Sequence, residues 1–210
     1  MIGVVFPVDL ASVLSGASLS QLAYWRRAAN PILMPEHGTI PRALYSFRDV
    51  VALRTVVKLR RDTSLQAIRS AFRTLHDFDL TAHPSEYRLV SHGSSIVLVT
   101  KDEAMDLVKN PGSLMLATLD GVFAEFTNKQ GRQVVDLIHP RPHLDVREHR
   151  LGGWPTAQDT RVPYDSVALL MATGEVGPED VARFYPTVSA AAAADALDFA
   201  REVEGIEETA

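Results

Sequence analysis

The chain contains no cysteine, which excludes disulfides, thiolate metal sites and cysteine nucleophiles. It also lacks long apolar runs. None approaches the roughly 20 residues that a membrane helix needs, so no membrane association is expected. The apolar start, "MIGVVFPVDLASVLSGAS", has no basic leader and is interrupted by Pro7 and Asp9, unlike a secretion signal. The expected compartment is the cytoplasm. The GxGxxG, Walker, GxSxG and HExxH patterns are missing, and with them the usual nucleotide and hydrolase chemistry. Carboxylate pairs such as Asp77 with Asp79 sit in no catalytic constellation. No catalytic residue and no cofactor is therefore nominated, and the protein is expected not to be an enzyme.

Histidine is unevenly placed, with six of the seven between residues 76 and 149. His139 and His143 have i, i+4 spacing, but Pro140 and Pro142 forbid the helix that would bring them together. No metal site is expected.

The 210 residues, 46% of them hydrophobic and 22% charged, fit an ordinary globular chain of one large domain or two to three small ones. The net charge of −5 conceals a polarity. Residues 1–76 carry ten Arg and Lys against four Asp and Glu, or +6. Residues 77–150 carry eight against eleven, or −3, and residues 151–210 three against eleven, or −8. Ends of opposite sign point to two kinds of partner, a polyanion and something basic, or to ends that attract each other.

In the first third, Asp9 is the expected N-cap of a short helix, "LASVLSGAS", stopped at Gly16. Ser18 caps "LSQLAYWRRAA", closed by Arg26 and Arg27. Two short helices joined through a glycine turn are the sequence form of a helix-turn-helix, in which Ser18, Ser20 and Gln21 would face base edges. The next segment, "NPILMPEHGTIPRALYSF", is broken by Pro31, Pro35, Gly38 and Pro41 and reads as a loop or short hairpin, a candidate wing. Ser46 caps "FRDVVALRTVVKLRRD", with Arg48, Arg54, Lys58 and Arg61 on its polar side. Thr63 or Ser64 opens "LQAIRSAFRTLHD".

On "LSQLAYWRR", "ALYSFRDVVALRTVVKLR" and "SLQAIRSAFRTL", residues 8–76 resemble the DNA-binding domain of MerR-type regulators. The resemblance implies binding to double-stranded operator DNA, and the DNA-binding set is Ser18, Ser20, Gln21, Tyr24, Arg26, Arg27, Arg42 and Tyr45. Many members carry Arg where this chain has Ala23, so that phosphate contact is absent or passes to Arg26 or Arg27.

In the middle, "YRLV" and "SIVLVT" flank Ser91–Ser94 as one hairpin, and "VFAEFT" and "RQVVDLI" flank Asn128–Gly131 as another. Asp102 is placed to cap a short helix, "EAMDLVK". Strands in so small a unit must dock on another part of the chain or on a second subunit.

After Pro163, "YDSVALLMATG", "PEDVARFYP" and "AAAAADALDFAREVEGIEE" read as three helices, the last capped by Ser189. Their charge disfavours a duplex and suits a protein partner. Gly153, Trp154-Pro155, Thr160-Arg161-Val162-Pro163 and "VALLMATGEVGPEDVARFYP" resemble the small C-terminal domain of VapB-type antitoxins. Asp159 stands where that family has glycine and can take a left-handed turn at modest cost. The resemblance implies an antitoxin that blocks a PIN-like ribonuclease toxin and represses its own operon as a homodimer. The toxin-binding set is Trp154, Arg161, Tyr164, Phe184 and Tyr185, with Arg161 either tying the segment to its helices or reaching the toxin.

The expected fold is α+β: an N-terminal winged helix-turn-helix (1–76), a β-rich spacer or dimerisation region (77–143) and an acidic three-helix, helix-turn-helix-like domain (144–210). The alternatives are a MerR-like regulator with a small-molecule effector site in the middle region, and an enzyme that also binds DNA.

Overall fold

Glycine and serine set most helix boundaries in the computed structural model, which describes residues 5–27, 31–77, 80, 82–92, 95–99, 104–108 and 121–208. The first helix, α1 (Val8–Ser15), begins after extended Pro7, so Asp9 lies inside the first turn and not at the cap. Its carboxylate there still complements the helix dipole. Gly16 ends α1 at φ +77°, and a Cβ at this position would collide with Val134. Ser18 opens α2 (Leu19–Arg27) through a reciprocal pair: Ser18 Oγ accepts from Gln21 N at 3.2 Å, and Gln21 Oε1 accepts from Ser18 N at 2.9 Å.

Ser46 and Asp49 form the same kind of box at the start of α3 (Phe47–Leu59). Ser64 caps α4 (Leu65–Asp77) by accepting from Ala67 N, whereas Thr63 donates its hydroxyl to Leu59 O. Between α2 and α3, no residue from 31 to 44 lies in a strand, so the wing is an irregular loop. Pro31, Pro35 and Pro41 lack the N–H that a ladder requires. One isolated bridge, Phe6 to Tyr45, closes the loop.

The fold is α+β. A three-stranded antiparallel sheet is ordered β1 (Arg88–His92), β2 (Ser95–Val99), β3 (Ala104–Asp106). The predicted hairpin is present. The predicted helix from residue 103 is not: 104–106 pair with β2, placing Ala104 opposite Val99 and Asp106 opposite Val97. Asp102 lies outside the described residues. A seven-residue helix is marginal alone, while β2, with Ser95 to Leu98 all buried, gains a partner on its second edge. The sheet docks within the chain, β1 against α3 and β2 against α4. Strands β4 (Phe126–Thr127) and β5 (Gln133–Val134) form the second predicted hairpin, and β6 (Leu144–Asp145) pairs with β7 (Thr156–Ala157).

In the last third, α5 (Tyr164–Met171) is followed by a 3-10 turn at Pro178–Arg183 and by α6 (Ala190–Glu208). The predicted middle helix is thus a 3-10 turn. Tyr185 precedes Pro186, which disfavours helical continuation. Among the described residues no helix is long and apolar enough to cross a membrane.

One hydrophobic cluster extends from Phe6 to Val203. Helix α1 is its hinge, packing on α2, α3 and α6. An aromatic chain continues it: Phe6 to Trp154 at 5.8 Å between centroids, Trp154 to Tyr164 at 6.1 Å, and Tyr164 to Phe199 at 4.9 Å. Residues from all three expected regions contribute to this cluster.

Candidate nucleic-acid and protein interfaces

Helix α2 buries Leu22 and Trp25 and exposes Ser20, Tyr24 and Arg27, the i, i+4, i+7 stripe of one helical face. Tyr24 is 54% exposed. The Arg69 guanidinium of α4, 5.5 Å away, lies over its ring. Arg69 Nε and Nη2 are buried without hydrogen-bond partners; no local sequence signal marks this residue. Ser18 and Gln21 spend their polar atoms on the capping box, and Ser18 Oγ also lies 2.9 Å from Ser20 Oγ.

Arg26, Arg27 and Arg42 line one cleft of about 460 Å³, walled by Met34, Ile40 and Pro41. Among the described residues the lining contains no carboxylate. Among the described residues, neither Arg27 nor Arg42 is ion-paired, and both are exposed. Arg26 donates to the Tyr45 hydroxyl at 3.3 Å. Tyr45 itself is buried, and its hydroxyl holds Arg26. Burial raises the Tyr45 pKa, against the lowering effect of Arg26, which keeps the hydroxyl protonated.

The predicted basic side of α3 does not form an open face. Arg54 is fully buried, Lys58 Nζ donates to Gly121 O at 2.7 Å, and Arg48 is paired with Glu36 and Glu86. Arg61 is exposed, as is Arg48 despite its pairing.

Glu36, Asp49 and His83 bring potential ligand atoms within 4.8 Å of one another. Asp49 Oδ2 accepts from Glu36 N at 2.9 Å and Ser46 N at 2.8 Å, while His83 Nε2 lies 3.1 Å from Oδ1. With Glu36 held by Arg48, these donors are committed to joining the loop, α3 and the 3-10 turn at Pro84–Glu86. The cluster reads as a structural joint.

The segment before α5 is fixed by Asp145. Its buried carboxylate accepts from Arg150 at 3.2 Å and from Asp159 N at 3.2 Å. Asp159 takes the left-handed conformation, φ +57°, and Thr160 Oγ1 donates to Ala157 O while accepting from Val162 N. Arg161 is exposed, and its side chain makes no hydrogen bond or ion pair with the described residues. Arg150, by contrast, joins Asp145 on β6 to Thr156 on β7.

Trp154 is half-buried and donates Nε1 to Asp165 at 3.1 Å. Tyr164 is largely buried in the aromatic chain and lines a groove between α5 and α6. Phe184 is 57% exposed, with Tyr185 half-buried beside it.

A groove of about 530 Å³ opens between α5 and α6. Ala168, Met171, Ala200 and Val203 give it an apolar floor, and Asp9, Asp165 and Glu204 join it from three helices. Arg201 is the one cation among the described residues of its lining. Elsewhere on α6, Asp198 and Glu202 pair with Arg141, and His143 Nδ1 lies 2.9 Å from Asp195.

Residues 145–200 match the family DUF433. Its description is a protein of unknown function. The DUF433 segment begins at the Asp145 carboxylate and holds the lead-in, α5, the 3-10 turn and α6 as far as Ala200. No curated protein matches the chain. The crystal structure of Rv2018 from Mycobacterium tuberculosis superimposes with a TM-score of 0.52, covering 92% of this chain and 97% of that one at 14% identity. At that identity the likeness is one of fold.

Proposed function

We propose that this protein is the antitoxin of a bacterial type II toxin-antitoxin pair, binding a PIN-like ribonuclease toxin through its DUF433 segment and its own promoter through α2. The observation that carries the reading is the separation of charge on one continuous core. Among the described residues, Arg26, Arg27 and Arg42 share a cleft without a carboxylate, whereas Asp9, Asp165 and Glu204 rim the α5–α6 groove.

Unpaired arginines beside an exposed helix suit phosphate contacts. The exposed face of Ser20, Tyr24 and Arg27 suits a major groove, and two copies would read half-sites about 34 Å apart. The resemblance of residues 144–203 to VapB-type antitoxins supports the toxin as the second partner. So does exposed Arg161, available to a carboxylate-rich site.

Co-expression with the product of the adjacent gene tests this function. We expect relief of growth arrest and a co-purifying complex. Arrest that persists, with no complex, would remove the antitoxin reading.

A further inference from the structure

We infer that the α5–α6 groove is a docking site for an amphipathic helix of a protein partner, with an apolar anchor flanked by lysine or arginine. The partner's identity rests on the antitoxin reading; the groove's chemistry does not.

The occupant is specified by shape and charge together. Ala168, Ala172 and Ala200 lie in the lining, and small residues allow close approach of another backbone. Leu169, also in the lining, is 75% exposed, an apolar contact that water covers poorly. Asp9 and Glu204 have no cationic partner among the described residues, and Asp165 accepts from Trp154. Their convergence has an internal reporter. Burial first, and then Asp165, Asp9 and Glu204, raise the Tyr164 pKa, so all three carboxylates act on one hydroxyl.

Such a rim repels a duplex and disfavours a second copy of the same acidic face. It attracts a basic segment, and Leu169 offers that segment an apolar contact. Arg201 lies on the same wall as Glu204, one turn away on α6, so the net rim charge stays negative.

The test uses the full-length protein and a fluorescent synthetic helix of leucine and lysine, leucines at i, i+3, i+4 and i+7. Its counterpart carries glutamate in place of lysine. We expect the lysine peptide to bind with an affinity that falls as salt rises, and the glutamate peptide not to bind. Leu169→Asp, at an exposed position, should weaken binding by at least about tenfold. Asp165→Lys with Glu204→Lys should weaken it similarly and flatten the salt dependence. Glu175→Lys with Glu179→Lys, the same charge change away from the groove, should leave binding unaltered.

Equal binding by wild type and Leu169→Asp, or equal loss in the remote charge variant, would overturn the proposal. The adjacent gene's product separates the two readings. Peptide binding at the groove without a complex with that product supports the groove and removes the antitoxin reading. A complex that Leu169→Asp leaves intact overturns the groove and leaves the antitoxin reading standing.

Discussion

Arg54 Nη1, on α3, donates to the carbonyl of Leu14, at the end of α1, over 2.7 Å. The same guanidinium serves Val122 O at 2.6 Å, Phe123 O at 3.1 Å, Ala124 O at 2.8 Å and Val135 O at 2.6 Å. One buried side chain thus joins α1 and α3 to the segment that carries the second hairpin. Burial pushes its pKa down to about 10, partly offset by Asp136, so it remains charged at neutral pH. We predict that Arg54→Met costs at least about 3 kcal/mol, because buried carbonyls lose their donors. Chemical denaturation measures this, and a change below about 1 kcal/mol would contradict it.

Gly153 stands at φ +89°, and a Cβ there would lie 2.5 Å from Phe47 Cδ2. Strain and collision act together, so Gly153→Ala should cost about 2–4 kcal/mol. Gly174, at φ +77° with open space around it, should lose only about 1 kcal/mol on the same change. Thermal melts of the two variants side by side check the difference; equal losses would locate the strain elsewhere.

Glu36 supplies a pH dependence. The Ser46 hydroxyl, and after the opposing effect of burial the Arg48 guanidinium, hold its pKa below the ordinary 4.5. A folded pKa below the unfolded one gives stability that is present above 4.5 and lost as pH falls through the folded value. The wild type should therefore melt above Glu36→Gln at pH 7, with the gap closing below pH 4.5. A gap that is constant across that window would mean that charge at Glu36 is irrelevant.

The arginine cleft makes a prediction about DNA. Arg27→Ala with Arg42→Ala should weaken promoter binding at least about tenfold and lower the salt slope by about one per arginine. Tyr45→Phe should weaken binding less, since it only frees Arg26. Fluorescence anisotropy across a salt series reads both effects, and an unaltered slope in the double variant would exclude these arginines from the interface.

Local chemistry made much of this legible. Ser46, Ser64 and Ser189 cap helices where their patterns predict, because capping involves only near neighbours. Asp159 adopts the left-handed turn for the same reason. The rest depended on partners distant in sequence. An amphipathic pattern cannot say whether Arg54 faces water or five carbonyls, and periodicity could not tell strand 104–106 from a helix before β2 was placed. Tyr45 and Tyr164 combine a large apolar ring with one polar tip, so their sequence context fits burial as well as contact. The acidic groove was hidden because Asp9 and Glu204 come from opposite ends of the chain.

Size-exclusion chromatography with light scattering separates the two proposed interfaces. The sample is the protein mixed with its promoter duplex and the adjacent gene's product. A ternary complex is predicted for the wild type. Arg27→Ala with Arg42→Ala should lose the duplex and keep the protein partner, and Leu169→Asp should do the reverse. Loss of both partners from either variant, or retention of both by each, would contradict the account.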